Sequence, residues 1–198
     1  EVTSAEKVLH AAEKPFVAII GGAKVSDKIL IIENLLERAT DIIIGGGMAY
    51  TFMKARGGKI GNSLCEEDRL QTALEILQKA KERNVSIHLP EDSVIADKFD
   101  ANANTQVCPS DAIPDGWMGL DIGPESIELF KKALSDAKTV FWNGPVGVFE
   151  MDSFAKGTLE IANTLASLNA VTVIGGGDSV SAVNKAGVAD KMTHISTG

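Results

Sequence analysis

Apolar residues follow two different spacings along this chain, and the two spacings alternate. Six short runs of mostly β-branched apolar residues predict strands at residues 16–20, 41–44, 85–89, 139–142, 171–174 and 192–195. Between these runs, apolar residues recur every three or four positions, which is the period of an α-helix. This spacing predicts helices over about residues 3–12, 25–39, 48–55, 66–83, 124–134, 153–168 and 180–186.

Residues that start or stop helices support these bounds. Thr3 and Glu6 have the spacing of a capping box at the start of the first helix. Pro124 suits a first helical position, and Ser153 is placed to cap the helix that follows it. Gly187 stops the last helix.

Strands that alternate with helices indicate right-handed crossovers and a parallel sheet covered on both faces. The sequence therefore predicts an α/β fold, a three-layer α/β/α Rossmann-like domain with a mostly parallel six-stranded sheet. Residues 91–119 break the alternation because Asn, Pro and Gly interrupt any long helix there. Within this stretch, residues 94–95 and 106–107 are predicted to pair as a small hairpin.

Four of the predicted strands end at a glycine-rich turn that leads into a helix. The turns are Gly21-Gly-Ala-Lys24, Gly45-Gly-Gly47, Asn143-Gly-Pro145 and Gly175-Gly-Gly-Asp178. Glycine lets the backbone approach a ligand closely, and the N–H groups at a helix start attract phosphate. Since the carboxyl ends of parallel strands share one edge, the turns predict a phosphate-binding rim. The alternative is that each glycine pair only turns the chain.

Composition and charge narrow the class of protein. The chain has 198 residues, of which 44% are hydrophobic and 23% charged, as expected of one globular domain. A formal charge of −8 argues against a nucleic-acid surface. Cys65 and Cys108 have no zinc-binding spacing, and no run is long enough to span a membrane. We expect a cytoplasmic protein with no nucleic-acid or membrane partner.

Charged residues at three of the turns suggest what the rim binds. Lys24 and Lys28 are spaced to lie on one helix face, where they could hold phosphates; the alternative is a solvated pair. Asp178 could bind a cation that bridges phosphate oxygens, or simply cap its helix. Residues 143–150 combine apolar side chains with Glu150, which suits a base slot with a carboxylate for the ribose. Neither GxxxxGK[ST] nor GxGxxG follows any strand.

With these residues in view, the chain resembles the carboxyl-terminal, nucleotide-binding half of phosphoglycerate kinase. The resemblance extends over essentially all 198 residues and rests on seven motifs in the order of the family. They are GGAKVSDK (21–28), GGGMAYTF (45–52), LPED (89–92), GWMGLDIGP (116–124), WNGPVGVFE (142–150), GGGDS (175–179) and HISTG (194–198).

The resemblance implies reversible phosphoryl transfer between ATP and 3-phosphoglycerate, with Mg²⁺ on the nucleotide. It assigns catalysis to Lys24, Lys28, Gly175, Gly176 and Gly177, and the metal to Asp178. Glu150 would bind the ribose, while Asn143 would lie near the phosphates. The remaining nucleotide-binding positions that it implies, including those of the adenine slot, are Gly22, Ala23, Gly46, Gly47, Gly119, Leu120, Gly144, Pro145, Val146, Phe149, Ser179 and Val180.

Compared with the family, the amino-terminal domain that binds phosphoglycerate has no counterpart in this sequence. Residues 1–12 would be the end of the interdomain helix, and residues 13–198 one nucleotide-binding domain, truncated at both ends. We therefore expect a monomer that binds Mg-ADP or Mg-ATP but does not turn over phosphoglycerate alone. Two alternatives remain, namely a non-catalytic nucleotide-binding module and an NAD-binding Rossmann domain.

Overall fold

The structure is a computed structural model that describes the backbone of residues 4–196 and the side chains of residues 7–196. Thr3 and the side chain of Glu6, which form the predicted capping box, lie outside this description, as does the end of the HISTG motif. The described α-helices are α1 (Ser4–His10), α2 (Ile29–Leu36), α3 (Met48–Ala55), α4 (Leu70–Glu82), α5 (Pro124–Leu134), α6 (Lys156–Ser167) and α7 (Gly177–Lys185).

Eleven strands are described, in three sheets. They are β1 (Phe16–Ile20), β2 (Asp41–Ile44), β3 (Lys59–Ile60), β4 (Ser86–His88), β5 (Asp92–Ala96), β6 (Thr105–Pro109), β7 (Ala112–Ile113), β8 (Met118–Ile122), β9 (Thr139–Asn143), β10 (Val171–Gly175) and β11 (His194–Ser196). The main sheet has six strands in the order β11-β10-β9-β1-β2-β4, and every neighbouring pair is parallel. The predicted fold class is therefore confirmed.

The apolar runs of the four central strands β10, β9, β1 and β2 are largely buried because helices cover the main sheet on both faces. In β1, Val17 and Ile19 belong to the core cluster that includes residues of α5, α6 and α7. The alternate residues Phe16, Ala18 and Ile20 belong to the opposite cluster, with residues of α2, α3 and α4. Since successive side chains of a strand point to opposite faces, this division makes the three predicted layers.

The strand ends are aligned across the sheet. Ile20 pairs with Ile44 on one side and with Asn143 on the other, and Asn143 pairs in turn with Gly175. These residues are the last ones of β1, β2, β9 and β10, which are four consecutive strands of the sheet. The four glycine turns therefore begin at one row, as the sequence predicted.

Four helix starts, those of α2, α4, α6 and α7, differ from their predicted positions by three or four residues. The helix predicted from residue 25 begins with a 3₁₀ turn, Val25–Asp27, and becomes α-helical only at Ile29. Ser153 does not cap α6, since its hydroxyl donates to the carbonyl of Ala101 and α6 begins at Lys156. The N–H of Gly157 is instead bonded to the buried carboxylate of Asp121, at 3.0 Å.

The irregular stretch forms a second, smaller sheet. The predicted hairpin is confirmed, with Val94 opposite Val107 and Ile95 opposite Gln106. Strand β8 pairs antiparallel with the other side of β5, through a bulge at residues 94–95, and was not predicted. The predicted strand 85–89 is shorter, as β4, and only partly buried, because it pairs with β2 alone.

Candidate functional site

The glycine turns pack against one another so closely that larger residues would not fit. A Cβ atom on Gly21 would lie 2.1 Å from the carbonyl oxygen of Pro145. Gly46 has φ of +73°, and a Cβ there would lie 2.6 Å from the backbone nitrogen of Gly22. The N–H of Gly22 donates to Pro145 O at 3.1 Å, which ties the first turn to the third. The glycines thus let three turns meet at one place.

A polar cleft of about 280 Å³ lies where the first, third and fourth turns meet. Its lining brings together eleven of the predicted site residues, which are Gly22, Ala23, Lys24, Lys28, Asn143, Gly144, Pro145, Gly176, Gly177, Asp178 and Ser179. Residues that are far apart in the sequence therefore converge, although only three of the four predicted turns line this cleft.

One charge in the polar cleft, that of Lys28, is partly desolvated, whereas Asp27 and Asp178 are exposed. Lys28 is half-buried and donates from Nζ to Oδ1 of Asn143. Burial lowers the pKa of Lys28, although the carboxylates of Asp27 and Asp178 act in the opposite direction. Lys24 is exposed at the same cleft. Two cations, Lys24 and Lys28, and two carboxylates, Asp27 and Asp178, thus border a cavity that can accept an anion together with its counter-cation.

Backbone donors enter the polar cleft from the start of α7. Gly176 donates its N–H to Ser196 O at 3.1 Å, so that group is already used. Helix α7 begins at Gly177, and the N–H groups of its first turn have no acceptor within the helix. Ser179 is fully buried, and its hydroxyl oxygen accepts the N–H of Gly144 at 2.6 Å. Ser179 therefore supports the third turn from beneath.

A more apolar slot of about 500 Å³ adjoins the polar cleft and shares Gly22, Ala23, Pro145 and Asp178 with it. The predicted residues Gly46, Gly47, Gly119, Leu120, Val146 and Glu150 all line it. A Cβ on Gly119 would lie 2.0 Å from the hydroxyl oxygen of Tyr50, so only glycine leaves room for this buried tyrosine at the wall of the slot. An apolar slot beside a polar cleft suits a base attached to phosphates.

Three predicted residues line neither cavity. Phe149 is 4% exposed and belongs to the core cluster, because the turn directs its ring inwards. Val180 stands in the first turn of α7, and Gly175 ends β10 with its backbone in the sheet.

Residues that sequence reasoning missed form the mouth of the apolar slot. Leu64 and Phe99 line it although they are 62% and 59% exposed. Tyr50, Asn62, Pro90 and Met118 also line it. Most of these residues come from irregular segments, where no periodicity could assign a role. The one available signal was Phe99 itself, an aromatic residue within an otherwise polar stretch.

Buried polar groups hold the floor of the apolar slot. The Tyr50 hydroxyl donates to Ser93 Oγ at 2.8 Å, and Ser93 Oγ lies 2.7 Å from Ser110 Oγ. Burial raises the pKa of Tyr50, so the phenol stays neutral. Burial also raises the pKa of Asp121 to about 7, although hydrogen bonds from Gly157 and Ile122 oppose that shift. Asp121 lies at the slot and holds the start of α6.

A larger cleft of about 790 Å³ lies elsewhere, between the end of α3, the segment after β4, and α5. It includes Arg56, His88 and Lys132 but none of the glycine turns. The ring of His88 is already bonded to the Asp41 carboxylate, at 2.7 Å. Because no helix start points donors into this cleft, the rim of glycine turns is the better candidate for a phosphate site.

The described residues contain no group of three or more His, Cys, Asp or Glu side chains able to hold a metal ion. Asp178 alone fits a magnesium ion that arrives with a nucleotide, because Mg²⁺ needs few protein ligands when phosphate oxygens and waters supply the others. None of the described helices is long and apolar enough to cross a bilayer.

Known proteins share this architecture and sequence. The phosphoglycerate kinase of Deinococcus radiodurans is 58% identical over 200 residues, which are 100% of this chain and 48% of that protein. The chloroplastic phosphoglycerate kinase of Volvox carteri is 60% identical over 201 residues, covering 44% of its length. The structure of phosphoglycerate kinase from Coxiella burnetii superposes with a TM-score of 0.95 at 41% identity, over 98% of this chain and 50% of that one.

These matches cover the whole chain but not the whole of its relatives. The chain spans about half the length of the curated relatives it matches. The family model for phosphoglycerate kinase matches residues 1–198. Together with the four aligned turns and the two adjoining cavities, this match shows that the chain belongs to the phosphoglycerate kinase family.

Proposed function

We propose that the chain is the nucleotide-binding half of a phosphoglycerate kinase and binds Mg-ADP and Mg-ATP. The reaction of the whole enzyme is reversible phosphoryl transfer between ATP and 3-phosphoglycerate, giving ADP and 1,3-bisphosphoglycerate. The observation that carries the proposal is the apolar slot beside the polar cleft, with Lys24, Lys28 and Asp178 at the shared border.

The base and the ribose occupy the apolar slot in this proposal. The wall at Gly119 and the side chains of Leu120 and Val146 contact the base. Glu150 is exposed at the edge of the slot, where its carboxylate accepts hydrogen bonds from ribose hydroxyls. Leu64 and Phe99 cover the base from the solvent side.

The phosphates occupy the polar cleft, because the cations and helix donors lie there. Lys28 binds the nucleotide phosphates, and Asn143 holds its ammonium group in place. Lys24 stabilises the phosphoryl group during transfer, together with N–H groups from the first turn of α7. Asp178 would hold Mg²⁺, which neutralises phosphate charge when it is bound. Phosphoryl transfer depends mainly on position and charge, so no covalent intermediate is needed.

In this proposal, 3-phosphoglycerate binds to a domain other than this nucleotide-binding half. The four arginines, Arg38, Arg56, Arg69 and Arg83, lie outside both site cavities. The chain spans about half of its relatives, which supports a missing amino-terminal domain as the partner. We infer that the isolated chain is monomeric and binds nucleotide without turnover, since closing two halves excludes water from the reaction.

The compartment remains a prediction. The sequence has no apolar run of membrane-spanning length, which supports the cytoplasm, whereas two relatives carry the word chloroplastic in their names.

Calorimetric titration with MgADP and with NADH tests the ligand class. We expect MgADP to bind more tightly, because the turns lack the GxGxxG pattern of dinucleotide sites and the polar cleft presents paired lysines. Tighter binding of NADH would contradict the kinase assignment and favour the Rossmann alternative.

Recombination with a separately produced amino-terminal half of a relative tests the catalytic role. We expect ATP to form from ADP and 1,3-bisphosphoglycerate when both halves are present. Association of the halves without any activity would instead favour the non-catalytic nucleotide-binding module.

A further inference from the structure

The segment of residues 62–66, here called the bridging segment, contacts three separate parts of the site. Ser63 Oγ accepts the N–H of Gly119 at 2.9 Å, at the wall of the apolar slot. Leu64 lines the mouth of the same slot and lies against Gly47 of the second turn. Glu66 bonds to Ser26, in the 3₁₀ turn that directly follows the first glycine turn. No strand–glycine–helix pattern marks this segment, and the proposed function uses only Leu64 from it.

Glu66 holds Ser26 by two hydrogen bonds. Its Oε1 accepts the backbone N–H of Ser26 at 3.1 Å, and its Oε2 accepts the Ser26 hydroxyl at 2.6 Å. Partial burial raises the pKa of Glu66, but the Ser26 hydrogen bonds, a further one from the Val25 backbone and the charge of Arg69 together leave the pKa below its usual value. The carboxylate therefore remains charged, and charged acceptors make the stronger hydrogen bonds.

Glu66 is itself fixed to the protein core. Its backbone N–H donates to Thr51 Oγ1 at 3.1 Å, and Thr51 is fully buried in α3. Helix α3 follows the second glycine turn, so Glu66 connects the 3₁₀ turn after the first glycine turn to the helix after the second. Residues 26 and 66 are 40 positions apart, so this contact is not a local consequence of either turn.

The position of Ser26 explains why this contact matters for the site. Ser26 stands between Lys24 and Lys28 and lies in the 3₁₀ turn Val25–Asp27. The N–H groups at the start of a helical turn lack partners within it, and Glu66 satisfies that of Ser26. Lys24 has an extended backbone just before the turn, and Lys28 follows directly after it. Fixing Ser26 therefore fixes the backbone positions of both lysines.

We propose that Glu66 is a positioning residue for phosphate binding, acting through Ser26 to hold Lys24 and Lys28 at the polar cleft. This inference rests on the proposed function, because it assigns those lysines to nucleotide phosphates. The opposing interpretation is electrostatic: a carboxylate close to the phosphate site would repel phosphates, and its removal would strengthen binding.

Three variants separate the two interpretations. Glu66→Ala removes both contacts and the charge. Glu66→Gln removes the charge but keeps the geometry, because the amide oxygen accepts the Ser26 N–H and the amide group donates to the Ser26 hydroxyl. Glu67→Ala is the matched control, since Glu67 is the adjacent acid and pairs with the exposed Lys54 instead of Ser26.

Calorimetric titration of each variant with MgADP and with adenosine provides the readout. Adenosine lacks phosphates and so reports on the apolar slot alone. For Glu66→Ala we expect the affinity for MgADP to fall roughly tenfold, because the variant loses charged hydrogen bonds while other contacts still hold the loop. Its affinity for adenosine should stay within about twofold of that of the unaltered chain. Glu66→Gln should bind MgADP within about threefold of the unaltered chain, and Glu67→Ala should match it.

Several results would overturn the inference. If Glu66→Ala binds MgADP as tightly as the unaltered chain, or more tightly, the repulsion interpretation is supported. If Glu66→Gln and Glu66→Ala lose equal MgADP affinity, the charge of Glu66 and not its geometry is the cause. If Glu66→Ala loses affinity for adenosine and for MgADP equally, the substitution disturbs the whole site. Failure of the unaltered chain to bind MgADP would refute the proposed function and this inference with it, whereas the other results refute the inference alone.

Discussion

Replacing Asp121 by Asn should change how the stability of the domain depends on pH. Asp121 is 2% exposed, and burial raises the pKa of its carboxyl to about 7 from an ordinary value of 3.8. The folded chain therefore keeps the Asp121 proton over a pH range in which the unfolded chain has lost it. Because the folded state then binds more protons, stability falls as pH rises through that range.

The size of this effect follows from the two pKa values. Below about pH 4 both states are protonated and Asp121 imposes no cost; between pH 4 and about pH 7 the cost grows, and above pH 7 it is complete. One pKa unit corresponds to about 1.4 kcal/mol, so a rise from 3.8 to about 7 costs at most about 4 kcal/mol. Asn resembles the protonated carboxyl, with one oxygen left as an acceptor.

Urea unfolding from pH 4 to pH 8 measures the difference between the two proteins. At pH 4 we expect Asp121→Asn to lie within about 1.5 kcal/mol of the unaltered chain, because one of two backbone hydrogen bonds is weakened. At pH 8 the free energy of unfolding of the variant should have risen relative to that of the unaltered chain. Asp136→Asn, which removes an exposed carboxylate, reports the contribution of net charge alone. A difference for Asp121→Asn that does not grow with pH would refute the reasoning.

Three further predictions concern the turns and the ligand. Gly46→Ala should lower the free energy of unfolding, measured in urea, by about 3 kcal/mol or more. The new side chain would combine backbone strain at φ +73° with a contact of 2.6 Å between its Cβ and the backbone nitrogen of Gly22. Gly116→Ala is the control, because Gly116 has φ +84° but open space around it, and should lower the free energy of unfolding by only about 1 to 2 kcal/mol. Similar losses would mean that close packing of the turns is unimportant. Phe99→Ala should weaken the binding of adenosine and of MgADP by the same factor, roughly three- to tenfold in calorimetry. The melting temperature should barely change, since Phe99 is 59% exposed. Asp178→Ala should weaken MgADP binding by at least roughly tenfold and leave adenosine binding unchanged. Equal loss of affinity for both ligands would contradict the assignment of Asp178 to the metal.

The sequence predicted those features that depend on local patterns. The apolar runs predicted all six strands of the main sheet, because strands covered on both faces are apolar throughout, although the edge strands β4 and β11 are only partly buried. The glycine turns predicted the shared edge, since the carboxyl ends of parallel strands coincide. Pro124 does begin α5, where its missing N–H costs nothing.

Features that depend on distant contacts could not be predicted. The start of α6 is held by Asp121, which is 36 positions from Gly157, and not by Ser153, which its position had predicted to be the helix cap. The 3₁₀ turn before α2 is held by Glu66, although periodicity alone predicted a helix there. Leu64 and Phe99 reach the slot from irregular segments, which carry no spacing signal. Phe149 was assigned to the slot by resemblance, yet it packs in the core.

The central claim is that four glycine turns form one nucleotide site, and amide NMR during a MgADP titration tests it most directly. We predict that amides at Gly22, Gly47, Gly144 and Gly177, one in each turn, shift together and follow a single dissociation constant. Shifts confined to one turn, or centred on the cleft around Arg56 and Lys132, would contradict the claim.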